Sequence, residues 1–254
     1  MYFVSSVINV FSKHGAIKFA RNVFDESSNR NVVCWTSLVS GYCSCSLVSE
    51  ARELFDEMPE RNDASYSAMV YGYVKNGFYS EGIQLFCEFK KNNKGCAGVK
   101  PSGSLLVNVL NACTMVGAFE EGKWIHSYIE ENGLEYELEL GTALIDFYAK
   151  CGWVKSAEQV FDKMFVKDVA TWSAMISGLA FNGNNLMALE LFEKMEKVGP
   201  KPNEKVGKYL IEFEPQHSGR YILLANMYAN LGKWEGVSEV RKLMKDRRVL
   251  FVSA

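Results

Sequence analysis

Residues 51–62 read ARELFDEMPERN, residues 20–31 read ARNVFDESSNRN, and residues 157–168 read AEQVFDKMFVKD. A chain that writes one pattern three times is built from a repeating unit, so the question of fold is a question about that unit. Ala20 and Ala51 stand 31 residues apart, as do Ala157 and Ala188, and Phe24, Phe55 and Phe86 repeat the same step. Gly82 to Gly122 is 40 residues and Gly122 to Ala157 is 35, so the period varies and clusters near 31 and 35.

Inside one unit, Trp35, Leu38, Val39 and Tyr42 fall at helical spacing, and so do Val48, Ala51, Leu54, Phe55 and Met58. Ser46 separates these two segments, where other units place Gly15, Gly77, Gly117, Gly152, Gly183 and Gly232. A glycine there suits a left-handed residue that ends the first helix. Pro59 follows the second helix, where it breaks no internal hydrogen bond. Each unit is therefore a helix–turn–helix hairpin. One hairpin cannot bury both of its apolar faces alone, so neighbours must stack, with Phe24, Phe55, Phe86, Phe161 and Phe192 as their shared core.

Composition limits the function classes. Lys plus Arg is 28, Asp plus Glu is 30, and the net charge of −2 neither advertises nor excludes a nucleic-acid partner, because a phosphate responds to the local field. The seven cysteines contain no C-x-x-C, which argues against zinc and against a disulfide framework, and reduced thiols are expected. No apolar run approaches the roughly 18 residues of a membrane helix. The opening MYFVSSVINVFSKHG has no basic leader and already carries helical periodicity, so the chain reads as starting inside a structural unit. No Gly-rich phosphate loop, metal cluster or nucleophile with a partner histidine stands out, and no catalytic residue or cofactor is assigned.

The stretches NVVCWTSLVSGYCSCSLVSEARELFDEMPERN and TALIDFYAKCGWVKSAEQVFDKMFVKDVATWSAMISGLAFNGNNLMALELFEKMEKVGPKPN resemble pentatricopeptide repeats of the plant type that mixes 31- and 35-residue units. The resemblance implies an all-α fold, a right-handed α-solenoid superhelix of stacked hairpins. Six repeats fit residues 1–203, with boundaries 1–31, 32–62, 63–102, 103–137, 138–168 and 169–203. The third is lengthened by KNNKGCAG in its closing loop, at small entropic cost. Residues 204–254 resemble part of the extension motif that follows the repeats in plant organelle RNA-editing factors. Glu204 to Glu214 reads as a second helix without its first, and residues 218–249 read as a degenerate hairpin with Tyr228, Gly232 and Met244 at repeat positions. Sequence missing at the Asn203–Glu204 junction is the expected cause, with a natural short variant as the alternative, and Arg248 stands where the family usually has glycine.

The same resemblance implies binding to single-stranded RNA, about one base per repeat, read by the fifth residue and the last residue of each unit. Carried onto this chain, the pairs are Ser5 with Asn31, Thr36 with Asn62, Ser67 with Ser102, Val107 with Glu137, Thr142 with Asp168, and Ser173 with Asn203. Four of these six pairs join a hydroxyl to Asn or Asp, while Val107 with Glu137 cannot form such a pair. Guanine's pairing edge offers N–H donors that a carboxylate accepts, and adenine's offers an acceptor and a donor that an amide matches. The expected footprint is therefore A-A-n-n-G-A. The last residue of each unit is taken to be free of packing, so that Asn31 and Asn62 can become Asp168 without disturbing the fold. Second-position residues flank the bases: Tyr2, Val33, Ala64, Glu139 and Ala170, with Tyr2 and Val33 able to sandwich a base and Glu139 weakening that contact. Lys13, Lys75 and Lys150 share a late first-helix position from which they can meet phosphates, or they are solvated lysines favoured by the helix dipole.

Family members often continue into a zinc deaminase with H-x-E and C-x-x-C elements, and this sequence contains neither. The resemblance thus implies site recognition for C-to-U editing in a mitochondrion or chloroplast, with the deaminase supplied in trans and the chain a monomer. Four readable bases match about one site in 256 of random sequence, so further repeats or partners must supply the rest. The rival reading is a protein-binding scaffold of tetratricopeptide type, whose repeat is steadily 34 residues; the mixed lengths here favour the RNA reader.

Overall fold

The computed structural model describes residues 3–28, 30–92, 100–134, 136–200, 221, 225, 228–229 and 234–247. Among them every regular element is an α-helix. Repeat 1 holds α1 (Phe3–Lys13) and α2 (Ile17–Glu26), repeat 2 holds α3 (Val32–Ser44) and α4 (Val48–Asp56), and repeat 3 holds α5 (Asp63–Lys75) and α6 (Tyr79–Asn92). Repeat 4 holds α7 (Gly103–Val116) and α8 (Phe119–Glu131), repeat 5 holds α9 (Leu138–Lys150) and α10 (Val154–Lys163), and repeat 6 holds α11 (Val169–Phe181) and α12 (Asn185–Val198). A further helix, α13, covers Trp234–Asp246. The paired helices match the hairpins expected from the sequence. Met58 lies past the end of α4 and is still buried.

The chain divides into two compact bodies, Met1–Glu135 and Tyr136–Ala254. In the first, α1, α3, α5 and α7 pack in series, and each also packs against the second helix of its own repeat. In the second, α9 packs against α10 and α11, and α11 against α12.

Small residues let consecutive first helices approach. A Cβ on Gly41 would stand 2.2 Å from Ser12 Oγ, and one on Gly72 would stand 2.1 Å from Cys43 Sγ. In the second body a Cβ on Gly178 would stand 2.4 Å from Ala149 Cβ. The three glycines hold one repeat position and their small partners another, so the contact recurs with the period. Asparagines reinforce it. Asn76 Nδ2 donates to Cys43 O at 3.0 Å and to Gly72 O at 2.8 Å, and Asn182 Nδ2 donates to Ala149 O at 2.8 Å and to Gly178 O at 2.7 Å.

The aromatic stripe is core. Phe24, Phe55, Phe86, Phe161 and Phe192 are all at most 5% exposed. Each such ring stabilises the fold by roughly 1.5–3 kcal/mol through burial. Three of them also meet an aromatic residue near the start of the following repeat edge-on: Phe24 with Trp35 at 4.8 Å, Phe55 with Tyr66 at 5.1 Å and Phe161 with Trp172 at 5.1 Å between centroids. A cation closes each site. Arg30, Arg61 and Lys167 lie over Phe24, Phe55 and Phe161 at 5.2, 4.9 and 5.0 Å. The two arginines also donate to second-helix carbonyls, Arg61 for example to Phe55 O at 2.9 Å and to Asp56 O at 2.6 Å, and Lys167 donates to Met164 O just past α10.

Of the extension, Tyr221, Ala225, Tyr228, Val237, Val240 and Met244 form one buried cluster. Tyr228 and Met244 thus occupy core positions, as their repeat spacing suggests. Glu204–Glu214, Gly232, Arg248 and the Asn203–Glu204 junction lie outside the described residues, as does most of the KNNKGCAG insertion.

The described cysteines are free thiols, with Cys34, Cys43 and Cys113 buried. Burial pushes the Cys43 thiol up to about 11, opposed in part by the Lys75 charge. The native state therefore holds this proton more tightly than the unfolded chain does. The stability linked to it is complete below the ordinary thiol range and is lost as the pH rises towards 11.

The turns after the first helices are left-handed as expected, with φ of 72° at Gly15, 83° at Gly77, 70° at Gly117, 81° at Gly152 and 79° at Gly183. Ser46 makes the same turn at φ 60°, without glycine's freedom. Its Cβ meets the steric penalty of that region, about 1–2 kcal/mol. Ser46→Gly should therefore raise stability by about 1 kcal/mol in denaturant titration. Gly178→Leu should lower it by more than 2 kcal/mol, because the clash it creates is with Ala149 and cannot be relieved by rotating a long side chain.

Candidate nucleic-acid interface

The last residue of a repeat is the N-cap of the next first helix. Asn31 Oδ1 accepts from Cys34 N at 3.0 Å, Asn62 Oδ1 from Ser65 N at 3.0 Å, Ser102 Oγ from Leu105 N at 3.3 Å, and Asp168 Oδ1 from Thr171 N at 2.8 Å. Asn62 completes a capping box, its own N–H donating to Ser65 Oγ at 3.0 Å. These four positions are half-buried. The expectation that this residue is free of the fold is corrected by this geometry. Asn, Asp and Ser replace one another here because all three are good caps for the exposed amides of a helix start. Glu137, with no side-chain cap bond, is the exception among the described repeats.

A cap uses one polar atom and leaves another. For Asn31 and Asn62 the cap takes Oδ1, so Nδ2, a donor, is the atom left over. For Asp168 the cap takes Oδ1, and the atom left over is Oδ2, an acceptor. The exchange of Asn for Asp therefore preserves the helix start and reverses the polarity of the remaining group.

The fifth-position hydroxyls sit on the first helices. Thr36 is half-buried and donates to Val32 O at 2.8 Å, and Ser173 is buried and donates to Val169 O. Ser5 is 5% exposed, within α1. Thr142 Oγ1 lies 2.8 Å from Thr171 Oγ1, which donates to Asp168 Oδ1 at 2.9 Å. In repeat 3, Ser67 Oγ and Ser102 Oγ both meet Ser104 Oγ, at 3.3 and 3.1 Å, and Asp63 Oδ1 accepts from Ser102 N at 2.8 Å. That pair is tied into its neighbours. Val107 is half-buried.

Among second-position residues, Val33 is 46% exposed, and Ala64, Glu139 and Ala170 are exposed as well. Tyr2 and Asn203 lie outside the described residues. Lys13, Lys75 and Lys150 are exposed near the ends of α1, α5 and α9. Lys150 Nζ is 2.8 Å from Asp146 Oδ2, which offsets part of its charge.

PPR repeat family models match residues 2–32, 27–59, 64–93, 142–169 and 167–206, and an E motif matches residues 203–249. The chain belongs to the pentatricopeptide repeat family. It is 37% identical over 199 residues to the Arabidopsis thaliana pentatricopeptide repeat-containing protein At4g38010, covering 78% of this chain and 29% of that protein. It is 50% identical over 197 residues to At3g26630, a chloroplastic protein of the same plant, covering 78% of this chain and 42% of that one. The chain thus spans less than half the length of either relative. Among solved structures, PPR10 in complex with an 18-nt psaJ RNA element is similar with a TM-score of 0.69 and 17% identity, over 99% of this chain and 39% of that one. A tetratricopeptide repeat protein from Parabacteroides merdae is similar with a TM-score of 0.59 and 12% identity, over 96% of this chain and 97% of that one. At these identities the likeness is one of fold.

The cap has a measurable weight. Asn62→Ala should cost about 1 kcal/mol of stability, whereas Asn62→Asp should change it by a few tenths at most, read from urea midpoints.

Proposed function

We propose that this chain is a sequence-selective single-stranded RNA-binding protein acting in organelle RNA processing, as a site-recognition factor for C-to-U editing. The observation that carries this reading is the divided use of the repeat-final side chain, one atom for the cap and one of opposite polarity in Asn and Asp. Nδ2 of Asn31 and Asn62 suits the ring acceptor N1 of adenine, and Oδ2 of Asp168 suits the N–H donors of guanine. Exposed Val33 and Ala170 would flank the bases, and Tyr2, Ser173 with Asn203, and Ser5 complete the set carried over from the family. The footprint is A-A-n-n-G-A, repeats 3 and 4 being unassigned.

Lys13 and Lys75 are proposed to meet phosphates, with Lys150 contributing less because of Asp146. The E motif supports a role beside editing factors, and the deaminase would then come from another protein. Mitochondrion or chloroplast is the proposed compartment, in keeping with the chloroplastic relative.

Gel shifts with A-A-n-n-G-A and A-A-n-n-A-A oligonucleotides test the reading. The native protein should prefer the first and Asp168→Asn the second, each by about tenfold, the discrimination expected from one base contact. Equal affinity in all four combinations would contradict the base assignment, and no binding at low salt would favour a protein-binding scaffold.

A further inference from the structure

Repeat 5 differs from the other described repeats in how its two reading residues are joined. Thr171, the third residue of repeat 6, has 0% exposure. Its Oγ1 donates to Asp168 Oδ1 at 2.9 Å while its N–H donates to the same oxygen at 2.8 Å. Its hydroxyl oxygen is 2.8 Å from that of Thr142. A hydroxyl has one proton, and a carboxylate only accepts. With the Thr171 proton committed to Asp168, the bond between the two threonines must run from Thr142 to Thr171. The relay is then Thr142 to Thr171 to Asp168, and it fixes every proton along its length.

The other described repeats are not wired through this buried position; in repeat 3 the exposed Ser104 hydroxyl bridges Ser67 and Ser102 instead. In repeat 2 the equivalent of Thr171 is Ser65, whose hydroxyl donates to the carbonyl of Asn62 at 2.8 Å, while Thr36 donates to Val32 O. In repeat 1 the position is Cys34 and in repeat 3 it is Leu105, and each provides only its backbone N–H to the cap.

We infer that Thr171 is a third determinant of base choice at repeat 5, a positioning residue that touches no base and acts through Thr142 and Asp168. Two bonds on one carboxylate oxygen hold the Asp168 side-chain torsion, so that Oδ2 keeps one direction. Thr142, its proton spent inward, offers only lone pairs. Both side chains are locked as acceptors, which matches the N–H donors of guanine and opposes the ring acceptor of adenine. In Asp168→Asn the same two donors would hold the amide oxygen inward and turn Nδ2 outward, so the relay sharpens either choice. The inference rests on the base-reading role proposed above.

The test uses the full chain with single-stranded RNA oligonucleotides of the form A-A-U-U-G-A, varied to A at the fifth base or to G at the second. Thr171→Val removes the hydroxyl at constant shape and should lower the guanine preference at the fifth base about fivefold, the weight of one hydrogen bond. Thr171→Ser should retain the native preference. The adenine preference at the second base, assigned to repeat 2, should stay unchanged in both variants. In the Asp168→Asn background, Thr171→Val should lower the adenine preference at the fifth base by a similar factor. Thr171→Ala gives the same reading where the valine variant fails to fold. A fifth-base preference in Thr171→Val or Thr171→Ala within twofold of the native value would overturn the relay while leaving base reading intact. A native protein that binds these RNAs without distinguishing G from A at the fifth base would overturn base reading itself, and the relay with it.

Discussion

The interaction on which the rest depends is the hydrogen bond from an amide at the start of a first helix to the side chain that ends the preceding repeat, made at α3, α5, α7 and α11 and absent at α9. A helix begins with amides that have no partner of its own, and a short polar side chain just before it is the cheapest way to satisfy one. In a stacked array this requirement recurs at every boundary. Asn31, Asn62, Ser102 and Asp168 meet it with the same geometry. Since a cap consumes one atom and Asn and Asp each have two, the architecture leaves a chemically variable group at a structurally constant place.

That division explains how the fold tolerates exchange of Asn for Asp at the end of a repeat. The first helices must approach closely, which confines Gly41, Gly72 and Gly178 and the small residues they face. The second helices must bury Phe24, Phe55 and Phe161 under Arg30, Arg61 and Lys167. Neither demand reaches the outer atom of the cap. Thr171 shows how a buried residue of the next repeat still acts on that atom, through the carboxylate it orients.

Much of the fold was legible in the sequence because its signals are periodic. The step between Phe24 and Phe55, the glycines of the left-handed turns and the helical spacing of apolar residues each report a local requirement that every repeat must meet. Ser46 was legible only by its place in that register, and it adopts the same turn without the usual residue. The candidate site was half legible. The residue types at positions 31, 62 and 168 point to base recognition and to helix capping alike, and only the packed structure shows which atom the cap takes and which it leaves. The reach of Asn76 and Asn182 to carbonyls of the previous repeat, and of Thr171 to Thr142, depends on how neighbouring helices pack, which no single repeat encodes.

The central claim is that one side chain caps with its oxygen and reads with its other atom. It is tested most directly by NMR of the isotopically labelled chain bound to a labelled adenine-containing oligonucleotide. The account expects a through-hydrogen-bond coupling between Asn62 Nδ2 and adenine N1, with the Ser65 amide resonance nearly unmoved because its cap bond persists. Saturated RNA binding with the Asn62 side-chain amide unshifted, or with the Ser65 cap broken on binding, would contradict it.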